Sequence, residues 1–562
     1  MKQVLIECVP NFSEGRDLNI IKQITNEIES VEGVKLLDVD PGKATNRTVV
    51  TFVGNPEAVK NAALLAMTKA KELIDMSKHS GEHPRFGATD VCPLIPVANI
   101  SMEETVEHAR DLAKRAGEQL DYPIYCYENA ALSPFRKNLA KVRAGEYEGL
   151  EARLKKEEHK PDFGPAVFKP KSGATAIGAR DFLIAYNFNL NTTSPRRANS
   201  IAFDVREAGR VKRKGDPVSG EIVRDKDGNP ERVAGTCKAT KGIGWYIEEY
   251  GIAQVSMNLT NINVSPVHIV FDEIVKSATS RGIRVTGSEL VGLVPKKVMI
   301  DAGKHYLKKQ ERSTGVSEAE LIKIAVKSLG LDDLKPFDPR KKIIEYQIED
   351  ANSAPLVNLK LNEFADETAS ESIAPGGGSV SAYLGALGAS LGTMVANLSS
   401  HKRGWDERWE EFSNWAEKGQ NIKDRLIKLV DEDTNAFNRI IAAVRMPKDS
   451  TEEKTLRKAA MQEATKYAIE IPLETMRVSL EAIELAREMA KIGNPNSASD
   501  AGVGALSGRA AVRGAYLNVM INSKDLDDKA FLEKTLKEAA EIDTKAKKIE
   551  NEVMKFLDGK LN

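Results

Sequence analysis

A change of period part-way along the chain constrains its fold more than any single motif. Up to about residue 330, strand-like runs alternate with helix-like ones: Gln3 to Cys8, a helix near Leu18 to Ser30, Val34 to Val39, Thr48 to Val53, then a long helix from about Pro56 to Met76. The alternation resumes with strand candidates at Phe182 to Asn189 and Ala253 to Leu259, and helices near Val267 to Arg281 and Glu318 to Leu329. This pattern predicts an α/β architecture. Between Arg206 and Cys237 charge and glycine dominate, which reads as a hairpin or surface insertion. Beyond residue 356 strand-like runs give way to helical spacing and cysteine is absent, so residues 356–562 should form an all-α domain. The Pro-, Lys- and Asp-containing stretch 335–355 reads as a linker between the two. A chain of 562 residues is in any case too long for one hydrophobic core.

The helical half contains an uncharged stretch, Val380 to Leu398, nearly long enough to span a bilayer. Ser381, Ser390, Thr393 and Asn397 weigh against lipid. Gly385, Gly388 and Gly392 suit a helix buried on all sides against close neighbours, in a domain that forms homo-oligomers. The formal net charge of -1 supplies no general attraction to nucleic acid or an anionic membrane, so neither is expected as a partner. Cys8, Cys92, Cys126 and Cys237 form no C-x-x-C pair, which signals neither a zinc site nor a redox dithiol and suits a reducing, cytoplasmic compartment. The first residues lack an apolar region of signal-peptide length.

The sharpest chemical cluster is His79-Ser80-Gly81-Glu82-His83-Pro84-Arg85. It spells H-x-x-E-H, the inverted zinc-peptidase pattern, which needs an unbroken helix to bring both imidazoles to one face. Gly81 and Pro84 interrupt any helix here, so no metal is expected. Two readings of the cluster stay open: a general acid–base histidine flanked by a carboxylate and an arginine, or a plain surface residue on a loop.

In the helical half, Ala374-Pro375-Gly376-Gly377-Gly378-Ser379-Val380 opens the uncharged helix. Backbone N–H groups at Gly376, Gly377 and Gly378 would be free to hold an anionic or carbonyl oxygen; the alternative is a tight connection capped by Ser379. Further on, Leu426, Val430, Phe437, Ile440 and Val444 draw one apolar stripe, and Asp433 falls within it while Asp431 and Glu432 project toward solvent. An inward aspartate must be hydrogen-bonded, paired or protonated, and desolvation raises its pKa toward that of a useful proton donor.

Several of these pieces resemble a known family. Glu7-Cys8-Val9-Pro10-Asn11-Phe12-Ser13-Glu14-Gly15, Thr45-Asn46-Arg47-Thr48, Gly81-Glu82-His83-Pro84-Arg85-Phe86-Gly87, Asp162-Phe163-Gly164-Pro165, Gly173-Ala174-Thr175, Gly178-Ala179-Arg180 and Leu290-Val291-Gly292-Leu293-Val294-Pro295 are similar to the glutamate formiminotransferase family. The resemblance runs through nearly all of residues 1–330. It implies two α/β subdomains with facing sheets, 1–179 and 180–334, and His83 as the proton-transfer residue. It also implies a folate-binding segment that includes Gly164, Pro165, Lys169, Lys171, Ser172 and Gly173. Arg47, Arg85 and Arg180 are candidates for gripping substrate carboxylates through paired hydrogen bonds, with a structural ion pair as the alternative for each.

The helical half resembles the cyclodeaminase, or methenyltetrahydrofolate cyclohydrolase-like, domain that follows the transferase in bifunctional proteins. The matching pieces are Ser372-Ile373-Ala374-Pro375-Gly376-Gly377-Gly378-Ser379-Val380, Leu429-Val430-Asp431-Glu432-Asp433 and Gly514-Ala515-Tyr516-Leu517-Asn518-Val519. The second aspartate of D-x-D, Asp433, is then the implied proton donor. The implied substrates are formiminoglutamate and tetrahydrofolate, the latter with or without a polyglutamate tail. The formimino group passes to the folate's 5-nitrogen, and ring closure then yields 5,10-methenyltetrahydrofolate and ammonia, with no metal. Residues 401–420, with Trp405, Trp409 and Trp415, depart from the pattern of the bifunctional animal enzymes. That leaves open a helical domain that hydrolyses the methenyl bridge or only binds folate.

Overall fold

The computed structural model describes residues 4–43, 46–81, 85–216, 219–348 and 354–561. Two compact units emerge: Met1–Val298 with Leu329–Ile348, and Met299–Ser328 with Glu349–Asn562.

The first unit begins with a seven-stranded sheet built from β1 (Leu5–Cys8), β2 (Asn11–Phe12), β3 (Val34–Gly42), β4 (Arg47–Gly54), β5 (Thr89–Ala98), β6 (Ile124–Glu128) and β7 (Thr175–Ala179). Pro10 cannot donate to a ladder, and it separates β1 from β2; both segments lie between β4 and β5, antiparallel to each. β5, β7 and β6 run parallel. Helices α1 (Leu18–Glu29), α2 (Pro56–Leu73) and α3 (Met102–Leu120) pack on one face. Their starts are set by local chemistry: Asp17 caps α1, Asn55 followed by Pro56 opens α2, and Ser101 with Glu104 forms a capping box on α3. Every second strand residue, Ile6, Cys8, Leu94, Ile177 and Ala179 among them, enters this core. Cys8 and Cys92, distant in sequence, meet there with their sulfurs 3.5 Å apart, and burial pushes the Cys8 thiol well above its usual range. The short helices α4 (Leu139–Val142) and α5 (Leu150–Leu154) cover part of the other face.

The chain continues into a four-stranded antiparallel sheet of order β11-β12-β8-β13, formed by β8 (Ile184–Leu190), β11 (Thr240–Ile247), β12 (Ile252–Leu259) and β13 (Val285–Val291). Helices α6 (Pro195–Val205) and α7 (Val267–Thr279) lie against this sheet. The expected hairpin insertion is β9 (Arg210–Val211) paired with β10 (Arg232–Val233). Next come α8 (Lys296–Lys309) and α9 (Glu318–Leu329). By contact, residues 299–328 group with the second unit. The stretch read as a linker is partly packed structure. Within it α10 (Pro339–Lys342) and α11 (Ile344–Ile348) bury Ile343 and Ile344, and Ile343 bridges to Val294. Two adjacent isoleucines give these residues enough apolar surface to hold them on the first unit.

The second unit is helical: α12 (Leu361–Thr368), α13 (Gly377–Ser400), α14 (Trp409–Val444), α15 (Thr451–Ile492), α16 (Ala498–Asn522) and α17 (Lys529–Leu561). α13 packs against α14, α15 and α16. It approaches α16 so closely that a Cβ on Gly388 would lie 2.8 Å from the Gly504 oxygen. The helix is not buried on all sides, as the sequence suggested. Leu387, Met394 and Leu398 form an exposed face, because the neighbouring helices cover the glycine side. The α14 stripe also runs out: Leu426 and Val430 are buried, whereas Phe437 and Val444 are exposed.

Candidate functional sites

His83, with Glu82 and Pro84, lies outside the described residues. The residues before and after it in sequence, up to Gly81 and from Arg85, are described. His79 is half-buried; its Nε2 stands 2.8 Å from the Asn46 carbonyl oxygen and its Nδ1 3.4 Å from the Arg85 guanidinium. A carbonyl only accepts and a guanidinium only donates, so Nε2 carries the proton and both ring nitrogens are used. Burial lowers the His79 pKa, with the Arg85 charge acting the same way, and the ring stays neutral. Asn46, in the left-handed region, donates to the Ser80 oxygen at 2.9 Å and accepts from Gly15 N at 3.0 Å, tying three loops together.

C-terminal to His83 in sequence, Gly87 bridges Gly173, the last residue of the expected folate segment. A Cβ on Gly87 would sit 2.2 Å from the Ala174 oxygen and one on Gly173 2.4 Å from the Phe86 oxygen, so both positions must be glycine for the strands to cross. Ser172 is buried, and its carbonyl accepts from Ala88 N at 2.8 Å. Lys171 is exposed, and Lys169 pairs with Asp121 at 2.6 Å. Gly164 turns with positive φ against the Tyr122 carbonyl, and Pro165 follows, half-buried. The segment from Phe86 to Ala88 and the end of the glycine-bounded segment are therefore one assembly.

The three arginines differ. Arg47 bonds Asn11 Oδ1 at 2.9 Å and pairs with the fully buried Asp90, which Arg143 also contacts at 2.6 Å. It is committed to a structural cluster. Arg85 pairs with Glu148 and stacks over Tyr147. Arg180 has no carboxylate within ion-pair distance among the described residues; its guanidinium donates only to the Asp181 carbonyl, at 2.9 Å.

Arg180 has a neighbour that sequence reasoning passed over. Glu7 pairs with Ile95 across β1 and β5, while Leu94 pairs with Ala179, so Glu7, Ile95 and Arg180 share the sheet face opposite the helices. Glu7 is almost fully buried. Burial raises its carboxyl from 4.5 to about 7, against the Arg180 charge and helped by Glu345. The signal was available: an acid between Ile6 and Cys8 in a strand whose alternate residues enter a core must face the other way. The second sheet has a polar layer of its own. Asn187 donates to Glu289 at 3.0 Å, Gln254 to Asn189 at 2.9 Å, and Asn189 to Asp333 at 3.0 Å, with Trp245 and Tyr250 at its margin.

In the helical unit, Asp433 projects from α14 to the start of α13. Its Oδ2 accepts from Ser379 N at 3.0 Å and, at 3.3 Å, shares the single Ser379 hydroxyl proton with the Val430 carbonyl, which lies nearer at 2.7 Å. Ser379 is therefore inside the helix and braces the acid, while Gly376 occupies the cap position. A Cβ on Gly378 would fall 2.1 Å from Asp433 Oδ1, so only glycine admits the carboxylate. Burial raises the Asp433 pKa, and the Ser379 bonds oppose that rise. A cavity of about 160 Å³ opens in front of the acid, lined by the three glycines, Thr434, Phe437, Ile440, Asn518 and Asn522.

Its neighbours correct one expectation. Asp431, expected in solvent, is buried and accepts from Leu356 N at 2.9 Å and Val357 N at 3.2 Å. The segment entering the helical unit covers that face of α14, and the carboxylate satisfies its otherwise unpaired amides. Glu432 is half-exposed and accepts from the Tyr467 hydroxyl. Among the described residues no cluster of three or more His, Cys, Asp or Glu side chains could hold a metal ion.

Comparison with known proteins agrees with the division into halves. Three family profiles match: the N-terminal subdomain of the formiminotransferase domain over residues 5–180, the formiminotransferase domain over 185–349, and formiminotransferase-cyclodeaminase over 360–541. The formimidoyltransferase-cyclodeaminase of Gallus gallus is 45% identical over 533 residues, covering 94% of each chain. The chain belongs to the formimidoyltransferase-cyclodeaminase family. A second member, from Dictyostelium discoideum, is 43% identical over 558 residues, covering 99% of each chain. The chain also matches a shorter protein, the methenyltetrahydrofolate cyclohydrolase of Methylorubrum extorquens, 38% identical over 205 residues that span 36% of this chain and 99% of that one.

Proposed function

We propose that this chain carries out two consecutive steps of one-carbon chemistry with its own acid–base groups. It transfers the formimino group from formiminoglutamate to the 5-nitrogen of tetrahydrofolate, then cyclodeaminates the product to 5,10-methenyltetrahydrofolate and ammonia. The observation that carries the reading is the pairing of family membership over both halves with a desolvated, serine-braced acid, Asp433, at the mouth of a glycine-lined cavity.

In the first step His83 takes the proton from the attacking 5-nitrogen and returns one to the departing glutamate nitrogen, a task that needs a group titrating near neutrality. Arg180 is the best placed of the three arginines for a substrate carboxylate, since Arg47 and Arg85 already hold acids. Lys171, exposed beside Gly173, suits the glutamate end of folate, and additional glutamates on that tail would extend the same electrostatic contact. In the second step Asp433 relays a proton to the leaving amine. The transferase is read as subdomains 1–179 and 180–334, with the cyclodeaminase domain from 356.

Self-association through the helical unit is part of the proposal. Leu387, Met394 and Leu398 on α13 and Val503, Leu506, Leu517 and Met520 on α16 are exposed on two helices that touch at Gly388 and Gly504. A second copy laying the same patch against itself would bury this surface with two-fold symmetry. A cytoplasmic setting follows from the cysteine usage of the sequence. The direct test mixes purified protein with formiminoglutamate and tetrahydrofolate and follows glutamate, ammonia and 5,10-methenyltetrahydrofolate. Equimolar appearance of all three is expected, and glutamate without ammonia would restrict the activity to transfer.

A further inference from the structure

Asn518 and Asn522 lie one turn apart on α16 and both line the Asp433 cavity. Asn518 donates its Nδ2 to the Gly514 carbonyl at 2.9 Å, and Asn522 donates its Nδ2 to the Ala468 carbonyl at 2.8 Å. A carbonyl can only accept, so the amide orientations are fixed and each Oδ1 is left as an acceptor. No hydrogen bond reaches either Oδ1 among the described residues. Asn518 stands beside the glycines that admit the acid: a Cβ on Gly377 would lie 3.4 Å from its Nδ2 and 3.9 Å from its Oδ1, and one on the next residue, Gly378, would strike Asp433.

Two side-chain acceptors thus meet at this end of the cavity, beside the remaining amide proton of Asn518: the Asp433 carboxylate on one side of the glycine pair and the Asn518 amide oxygen on the other. We propose that Asn518 is a positioning residue for cyclodeamination, its Oδ1 accepting from the NH₂ of the formimino group so that the cavity selects a nitrogen-bearing one-carbon unit over a formyl oxygen. The inference rests on the assignment of ring closure to the Asp433 cavity. The reacting carbon bears an NH₂⁺ that donates two hydrogen bonds, one to each acceptor. Attack by the 10-nitrogen forms the new C–N bond; its proton passes to Asp433 and from there to the former formimino nitrogen. That nitrogen leaves with its bonding pair as ammonia, and the carbon keeps the single positive charge as the methenyl bridge. A 5-formyl group offers only an oxygen here, which would face two acceptors with no proton to share.

The test uses the full chain supplied with 5-formiminotetrahydrofolate, and 5-formyltetrahydrofolate as competitor. Asn518→Leu removes the acceptor and should lower kcat/KM for ring closure by about 10- to 100-fold, while inhibition by the formyl compound stays equal or tightens. Asn518→Asp restores an acceptor but gives up the bond to the Gly514 carbonyl, so it should recover part of that loss; comparable thermal melts of both variants exclude a folding defect. Ring closure by Asn518→Leu within about twofold of wild type, or equal impairment of both variants, overturns the proposal. Asp433→Asn, run in parallel, separates the two levels. Full activity there removes the assignment of the cavity itself, whereas an inactive Asp433→Asn beside a fully active Asn518→Leu removes only the role of Asn518.

Discussion

Replacing Gly378 by alanine should separate chemistry from stability in the helical unit. The new Cβ would lie 2.1 Å from Asp433 Oδ1, 2.4 Å from Cγ and 2.5 Å from Oδ2, far inside carbon–oxygen contact. Gly378 lies in the first turn of α13, held among α14, α15 and α16, so the carboxylate is the part that gives way, by about 1 Å. That motion weakens two hydrogen bonds from Ser379 to a charged acceptor, a loss of about 1–3 kcal/mol, against a gain of about 1 kcal/mol from replacing glycine by alanine in a helix. Net stability should therefore fall by no more than about 2 kcal/mol. The rate should not be spared, because displacing a proton donor by about 1 Å costs on the order of 100-fold. The assay supplies 5-formiminotetrahydrofolate and follows methenyltetrahydrofolate by absorbance, beside a thermal melt. Ring closure within about threefold of wild type would refute the claim that the carboxylate position is what the glycine protects.

Two further substitutions probe the first unit. Glu7 is raised from 4.5 to about 7 by burial, so the folded state binds more protons between those values; its stability is full below 4.5 and is lost as pH rises through 7. Glu7→Gln stays neutral and should gain up to about 3 kcal/mol over wild type at pH 8 and little at pH 4.5, read from urea midpoints; parallel pH profiles would contradict the assignment. Arg47→Ala leaves the fully buried Asp90 with Arg143 alone and should cost about 3 kcal/mol of stability with little change in KM for formiminoglutamate. A large KM increase without destabilisation would return Arg47 to the substrate.

The two-part architecture was legible because it rests on period, which a single sequence carries. What period cannot carry is the identity of the neighbour. The spacing on α14 separated Asp433 from Asp431 by face, yet Asp431 proved the more deeply covered, because the chain at Leu356 and Val357 lies across its side of the helix. Residues 335–348 look like linker by composition, and two isoleucines pin them down. For Arg47 a substrate carboxylate and a structural ion pair were both open, and the structure pairs it with Asp90. Cys8 and Cys92 likewise meet through the pairing of β1 with β5. Asn518 sat inside a recognised motif, but its orientation depends on one carbonyl of its own helix and its meaning on glycines over a hundred residues away.

In the proposed function His83 serves formimino transfer and Asp433 serves ring closure, one proton-handling group for each step. The most direct measurement follows glutamate and ammonia release in the same reaction by Asp433→Asn, given formiminoglutamate and tetrahydrofolate, with His83→Ala given 5-formiminotetrahydrofolate alongside. The prediction is glutamate without ammonia from the first and ammonia at near wild-type rate from the second. Ammonia keeping pace with glutamate in Asp433→Asn, or loss of ring closure in His83→Ala, would contradict it.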